Sequence, residues 1–218
     1  PNRNWIASAN VLKYLGIKIR LVDIKGEGQI IDEEQIEKNI NKKTKLIFPA
    51  HLNGKSSNMK KILAIGKKYN IKVLEDAAQG LMATNDGKYL GTIGDAGIFS
   101  MAMTKILSTG QGGFVVTNNT KIYKRLLELK NHGLKNPFEL DWNIRGGLNF
   151  KFTDLQASLA ISQLSLLKKR KKKLIENYLI YKKGIEKIDF IEIVPYDLSK
   201  GELPLWIECK CKKRDKVI

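Results

Sequence analysis

The amino-acid sequence predicts an α/β fold, a mostly parallel mixed sheet flanked by helices, followed by the start of a smaller α/β unit. Three observations carry this prediction. Helical periodicities alternate with short β-branched runs, as where NMKKILAIGKKYN leads into IKVLEDAAQG. That order gives right-handed crossovers and parallel pairing. Two later apolar runs, AGIFSMAM and GGFVVTN, are separated by fewer residues than a helical crossover needs, so one strand is expected to run antiparallel to the rest. Finally, a long helical pattern leads into FIEIVP and LPLWIECK, which read as the first strands of a second unit.

Taken in order, Ser8 is placed to cap a short helix, ANVLKYL, that Gly16 ends. IKIRLVDI (Ile17 to Ile24) alternates and is β-branched, the pattern of a strand. Asp32 starts a second helix, EEQIEKNI, and KLIFPAHL (Lys45 to Leu52) is a strand whose end carries polar residues and glycine. In NMKKILAIGKKYN the apolar Ile62, Leu63, Ile65 and Tyr69 make an amphipathic helix. Ile71 to Leu74 form a short buried strand with Glu75 and Asp76 at its C-terminal end. Ligands of open parallel sheets bind beyond the carboxyl ends of strands, so topology alone puts Asp76 in a ligand-binding position. TKIYKRLLELKNHG is a helix stopped by Gly133, and Leu134 to Asn149 form a loop long enough to suggest a function. One long helix is then expected from Thr153 through DLQASLAISQLSLLKKRKKKLIENYLIYKKGI. No internal repeat is visible.

Composition narrows the functional class. The chain has 218 residues, 43% hydrophobic and 28% charged, the balance of a globular domain. No apolar stretch reaches the ~18–20 residues that span a bilayer, and the opening PNRNWIASAN is not a secretory signal. Two cysteines, Cys209 and Cys211, stand as C-x-C; they form neither a disulfide framework nor a metal site, and a reducing, cytoplasmic location is the expectation. The net charge of +17 raises nucleic acid as a partner. The lysines are spread along the whole chain, however, and the densest run, KKRKKK at Lys168 to Lys173, sits in a helical pattern with no interleaved aromatics. That run reads as a solvated helix face, no nucleic-acid partner is expected, and the charge suits an anionic small substrate. The text starts as if already inside a domain, and a piece of a longer protein is expected.

Three features converge on chemistry: an acid at a strand end (Asp76), a lysine after a later strand (Lys105), and a setting of hydroxyls and glycines, MTKILSTGQGG, around that lysine. A lysine held among apolar and small residues has a depressed pKa because desolvation disfavours its charged form. Its neutral amine is a nucleophile that condenses with an aldehyde. A buried carboxylate keeps a pyridine nitrogen protonated. Pyridoxal phosphate (PLP) needs those two roles, and Ser100 and Thr104 offer hydroxyls to its phosphate.

HLNG, KKYNIKVLEDAAQG, GTIGDAGIFSMAMTKILSTGQGGFVVTN, LKNHG and GLNFKFTDLQASLAISQL follow one another in an order and spacing that resemble the DegT/StrS-type PLP-dependent nucleotide-sugar aminotransferases. The opening PNRNWIASANVLKYLGIKIRLVDI also resembles that family, so the resemblance covers roughly residues 1 to 182. It implies a fold-type-I PLP-transferase, with the PLP-binding large domain at residues 1–170, its N-terminal part missing, and the linking helix and beginning of a small C-terminal domain at 171–218. It implies that Lys105 is the lysine that joins PLP covalently, that Asp76 partners the pyridine nitrogen, and that Gln79 lies near the ring hydroxyl. Ser100 is implied as a phosphate ligand. Trp5 stands where an aromatic stacks on the ring, the alternative being a core tryptophan. Asn149 resembles a residue that reaches the phosphate of the neighbouring subunit's cofactor, which implies a homodimer with a shared site. The implied reaction moves an amino group, from glutamate as the expected donor, to a keto group of a nucleotide-linked deoxysugar, for cell-surface glycan or related sugar biosynthesis.

Departures from the family pattern bear on substrate contacts. Gln111 stands where the family usually has Glu, Asn58 where it has Asp, and Lys151 where it has Arg. DAAQGLMA departs from the usual run of small residues, and the early Gly/Ser/Thr turn that cradles the phosphate is not in this sequence. Relatives in which the lysine is His are sugar dehydratases; Lys105 argues against that branch. Such altered chemistry, or a regulatory PLP-fold protein, is the alternative reading, and nucleic-acid binding a remote one. His51 and His132 lack metal-ligand spacing but fall in family-like blocks, where either is a candidate to line the site. No metal is expected.

Overall fold

A computed structural model describes residues 1–26, 29–135, 146–212 and 214–217. The elements are α1 (Ile6–Tyr14), β1 (Ile24–Lys25), β2 (Ile30–Ile31), α2 (Glu33–Asn39), β3 (Leu46–Ile47), α3 (Met59–Tyr69) and β4 (Lys72–Asp76). They continue with β5 (Thr84–Asn85), β6 (Lys88–Tyr89), β7 (Ala96–Ser100), β8 (Gly113–Val116), α4 (Thr120–Lys130), α5 (Asp154–Leu164), α6 (Leu167–Ile185), β9 (Ile191–Ile193) and β10 (Cys209–Cys211). A four-stranded sheet in the order β3-β4-β7-β8 positions the site. Its first two pairings are parallel and the third, β7 with β8, is antiparallel. This is the mixed sheet expected from the short β7–β8 connection. Phe99 and Phe114 sit opposite each other in that last pairing and stack at 4.6 Å.

The sheet is covered by helices whose ends are chemically specified. The Asn58 carboxamide accepts from the Lys61 N–H at 3.2 Å to start α3, and Asn70, in the left-handed region at φ 52°, ends it. Between those caps α3 turns Met59 and Ile62 onto Ile47, Ile71 and Val73, where Ile31 and Ile36 complete a buried cluster. Asp32 caps α2 as expected, accepting from the Glu34 N–H at 3.0 Å.

Several local expectations need correction. Ser8 does not cap the first helix; Trp5 stands at the N-cap without a side-chain bond, and Ser8 lies inside α1. IKIRLVDI contributes only Ile24 to a strand, for no neighbouring strand among the described residues pairs with 17–23, and Ile17, Ile19 and Leu21 are exposed. An alternating pattern makes a strand only where another edge supplies the ladder. KLIFPAHL is a strand at Leu46–Ile47 alone, because Pro49 has no N–H to give, and pairing resumes as a single bridge from Ala50 to Asp76. The long helix from Thr153 is two helices. Leu166 bonds back to Gln163 at 3.0 Å, one residue short of the helical spacing, and regular bonding resumes from Arg170 to Leu166 at 2.9 Å. Of the expected loop Leu134 to Asn149, residues 136–145 lie outside the described residues.

KKRKKK is a solvated face only in part. Helical periodicity turns two of its six side chains inward: Arg170 donates to the Ile106 carbonyl at 2.7 Å and to Gln163 Oε1 at 2.6 Å, and Lys171 donates to the Met82 carbonyl at 3.0 Å. Beyond α6, FIEIVP forms β9, which pairs antiparallel with β10. LPLWIECK departs from its strand pattern until Cys209; its Leu203 is buried with Ala83, Leu90 and Ile106. Both cysteines are free thiols. No helix among the described residues is long and apolar enough to cross a membrane.

Candidate active site

Asp76 closes β4, its backbone held on both sides. Its N–H donates to the Pro49 carbonyl and its carbonyl accepts from the His51 N–H, both at 2.9 Å. The side chain is 6% exposed. Oδ2 accepts from Ser8 Oγ at 2.6 Å and Asn4 Nδ2 at 3.1 Å, and Oδ1 from the Ala78 N–H at 3.2 Å. Ser8, expected as a cap, is instead the hydroxyl that docks α1 onto this acid.

Strand alternation points the preceding residue, Glu75, to the opposite face, where it is fully buried. His51 Nε2 meets its Oε2 at 2.9 Å, and the N–H groups of Gly91, Ile93 and Gly94 donate to its two oxygens at 2.8, 2.6 and 2.6 Å. His51 Nδ1 accepts from the Ser57 N–H at 3.2 Å, so the proton of the neutral ring belongs on Nε2, aimed at Glu75. Burial pushes the Glu75 carboxyl up, but His51 and the surrounding N–H groups outweigh it and hold the group below the usual carboxylate range. The glycines are required here. A Cβ on Gly91 would stand 2.4 Å from the Phe99 ring, and one on Gly94 2.7 Å from the Val73 carbonyl. His51 therefore sits behind the site as the partner of Glu75, not in its lining.

Lys105 lies in the turn that leaves β7. The Thr109 N–H donates back to the Met101 carbonyl at 2.9 Å and the Lys105 N–H to the Ala102 carbonyl at 3.0 Å, so this turn is closed on itself. Lys105 is half-buried, and burial lowers the pKa of its amine, opposed in part by the negative charge of Asp76. Lys105 Nζ stands 4.9 Å from the centre of the Trp206 ring. Behind the turn, a cavity of about 360 Å³ is bounded by Thr104, Lys105, Ser108, Gln163 and Arg170. Gln163 also receives the Ser108 N–H at 3.3 Å, tying the break between α5 and α6 to the lysine turn.

The other expected residues fall as follows. Ser100 ends β7, and its Oγ accepts from the Ala102 N–H at 3.3 Å, leaving its O–H to donate. Thr104 is exposed. Gln79 is half-buried and its Oε1 accepts from the Asn53 N–H at 2.7 Å. Trp5, 72% exposed, is carried at the head of α1 beside Asn4 and Ser8, the two donors to Asp76, so it is not a core tryptophan. Asn149 stands apart, bridged to Asn131, and no hydrogen bond or ion pair of the described residues joins it to Asp76 or Lys105. His132 sits there too, its Nε2 3.2 Å from Lys151 Nζ. Sequence reasoning missed the His51–Glu75 pair, although HLNG and LEDAA held both residues, and it missed Trp206, for which no local signal exists.

This donor set fits PLP. The amine is partly desolvated, and the Asp76 carboxylate, with about four lone-pair sites on its two oxygens, accepts from three donors of the chain. One site remains for a protonated ring nitrogen. Among the described residues no cluster of His, Cys, Asp and Glu is arranged to hold a metal.

The fold and the sequence have relatives. The structure is similar to PseC of Helicobacter pylori, an aminotransferase of pseudaminic acid biosynthesis, with a TM-score of 0.89 at 27% identity over 97% of this chain and 57% of that one. It is also similar in fold to a DegT DnrJ EryC1 StrS aminotransferase of Brucella abortus, with a TM-score of 0.91 at 24% identity over 100% of this chain and 59% of that one. The architecture is thus that of the fold-type-I PLP aminotransferases. By sequence the chain is 35% identical over 191 residues to GDP-perosamine synthase of Escherichia coli O157:H7, covering 86% of this chain and 51% of the relative. It spans about half the length of the curated relatives it matches. The profile of one family matches along residues 1–218, and the chain belongs to the DegT/DnrJ/EryC1/StrS aminotransferase family.

Proposed function

We propose that this chain carries the active site of a PLP-dependent aminotransferase that moves an amino group from glutamate to a keto group of a nucleotide-linked deoxysugar, for cell-surface glycan or related sugar biosynthesis. The observation that carries the reading is the pairing of a half-buried, pKa-lowered Lys105 amine with a buried Asp76 whose charge reaches it. PLP is the cofactor of this family; when bound, it supplies an electrophilic aldehyde carbon and an electron sink that protonation of its ring nitrogen strengthens. Lys105 would offer a neutral amine to anchor it, and the same Nζ would be the group of this chain placed to hold and return a proton there. Asp76 would keep the ring nitrogen protonated by charge and hydrogen bond. Ser100 would donate its hydroxyl to the phosphate, with Gln79 toward the ring hydroxyl and Trp5 against a ring face.

The acceptor class is supported by relatives named GDP-perosamine synthase and by a net charge of +17, which suits a substrate bearing a diphosphate. The protein acts as a homodimer in which Asn149 reaches the phosphate of the other subunit's cofactor. Two exposed apolar neighbours of Asn149, Leu148 and Phe150 (60% and 65% exposed), and the exposed Leu155 and Ile161 of α5 favour cover by a second copy.

The test is an absorbance spectrum of the purified protein with added PLP, followed by borohydride reduction, peptide mapping, and assay with glutamate and a nucleotide-linked keto sugar. A visible band, a reduced adduct on Lys105 and an aminated sugar are expected. An adduct on another lysine, or none, overturns the assignment.

A further inference from the structure

An aromatic ring that faces the Lys105 amine comes from the far end of the chain. Trp206 lies 101 positions beyond Lys105 in a segment that belongs to no strand or helix, yet Lys105 Nζ faces its ring at 4.9 Å. That distance is within cation–π range.

The placement is built, because the segment carrying the ring is stitched down along its length. Thr84 N–H donates to the Gly201 carbonyl at 2.9 Å, Ser56 N–H to Glu202 Oε1 at 3.1 Å, and Leu203 N–H to the Gly54 carbonyl at 3.1 Å. The Trp206 carbonyl accepts from Tyr196 Oη at 3.0 Å, and Val194 N–H donates to the Glu208 carbonyl at 2.8 Å. Gly54 is needed for this approach, since a Cβ there would stand 2.1 Å from the Leu203 carbonyl oxygen. The same loop serves the candidate cofactor residues: the Asn53 N–H holds Gln79, and the Asn53 carbonyl accepts from Leu205 at 3.4 Å. Gln79, Asn53, Leu205, Trp206 and Lys105 thus form one continuous path.

We propose that Trp206 is a positioning residue for Lys105. Its indole face holds and shields one side of the amine, and docking of the 201–208 segment on the 53–56 loop brings it there. The proposal rests on reading Lys105 as the reactive amine. Its physical content is that the ring face attracts the cationic form and excludes water from one side of Nζ. Both effects narrow the directions from which a reagent reaches the amine.

The test needs neither cofactor nor substrate. The full-length protein without PLP is treated with trinitrobenzenesulfonate, and the rate of modification of Lys105 is followed by peptide mapping for wild type, Trp206→Ala and Trp206→Phe. The hydrogen bonds that hold this segment use backbone atoms and other side chains, so it keeps its path in both variants. Loss of the ring in Trp206→Ala is expected to speed modification about fivefold, the worth of one cation–π contact, while Trp206→Phe, which keeps an aromatic face, stays close to wild type and the exposed lysines are unchanged. A Trp206→Ala rate equal to wild type overturns the proposal, as does a Trp206→Phe rate equal to that of Trp206→Ala. A positive result without any PLP adduct would leave the positioning role standing and remove the aminotransferase reading; the reverse pattern would do the opposite.

Discussion

The two halves of the site are built in opposite ways. The acid end, Asp76 with Glu75 behind it, grows out of a central strand, is almost wholly buried, and has its carboxylates matched by seven donor groups of the chain. The amine end, Lys105, hangs from a self-closed turn, is half-exposed, and faces an aromatic ring. The difference suits the two jobs proposed for these residues. A carboxylate that holds one proton in place works best when every bond is fixed in advance. An amine that must bond, release and carry a proton needs room, and a ring face supplies direction without a hydrogen bond to break.

The comparison is broken most directly by Lys105→Ala. If the amine end carries the chemistry and little of the stability, this variant loses the covalent PLP adduct and all transamination while its urea midpoint stays near wild type. Glu75→Ala should behave in the opposite sense. It strips a fully buried acceptor from His51 and three backbone N–H groups, and each buried donor left without a partner costs about 1–3 kcal/mol, read from denaturant unfolding. Equal stability losses in the two variants would erase the distinction.

Ser8→Ala sharpens the picture at smaller cost. Removing a hydroxyl that donates to a charged acceptor should destabilise by about 1.5–3 kcal/mol, and the loosening should appear first in α1, by hydrogen exchange, because Ser8 is the bond that docks that helix on Asp76. Protection unchanged in α1 would make Ser8 a bystander.

The smallest effect is in pH. Burial lowers the Lys105 pKa, so its neutral form accumulates at lower pH than that of exposed lysines, and its modification rate should level off earlier as pH rises. Glu75 has linkage of the same sign, in the acid range. Its folded pKa lies below the unfolded one, so the stability it contributes is complete above the unfolded carboxylate pKa of about 4.3. That stability is lost as pH falls through the folded value. Acid should therefore loosen the Glu75 side of the site while the lysine side stays protonated throughout.

Much of this was legible from local chemistry. Asp32 announced α2, the amphipathic helical spacing in NMKKILAIGKKYN announced α3, and the short β7–β8 connection forced an antiparallel strand. Asp76 and Lys105 stood out because strand ends and glycine-rich turns are where such sheets expose function. The misreadings share one cause. Ser8 has the chemistry of a cap, 17–24 that of a strand, and 154–185 that of one helix. Each local preference was overridden by a contact with a residue far away in sequence, or by the lack of one.

The amino-acid order by itself determined the class of fold, the acid at the end of β4 and the amine after β7, because these follow from periodicity, turn chemistry and the length of connections. Only the tertiary structure decided that Ser8 bonds Asp76, that His51 bonds Glu75, that Arg170 of α6 bonds the Ile106 carbonyl, and that Trp206 faces Lys105. Each of these joins elements separated by dozens of residues. Hydrogen bonds and ring contacts act over a few ångströms, and nothing in a local pattern states which distant groups folding will bring within that range.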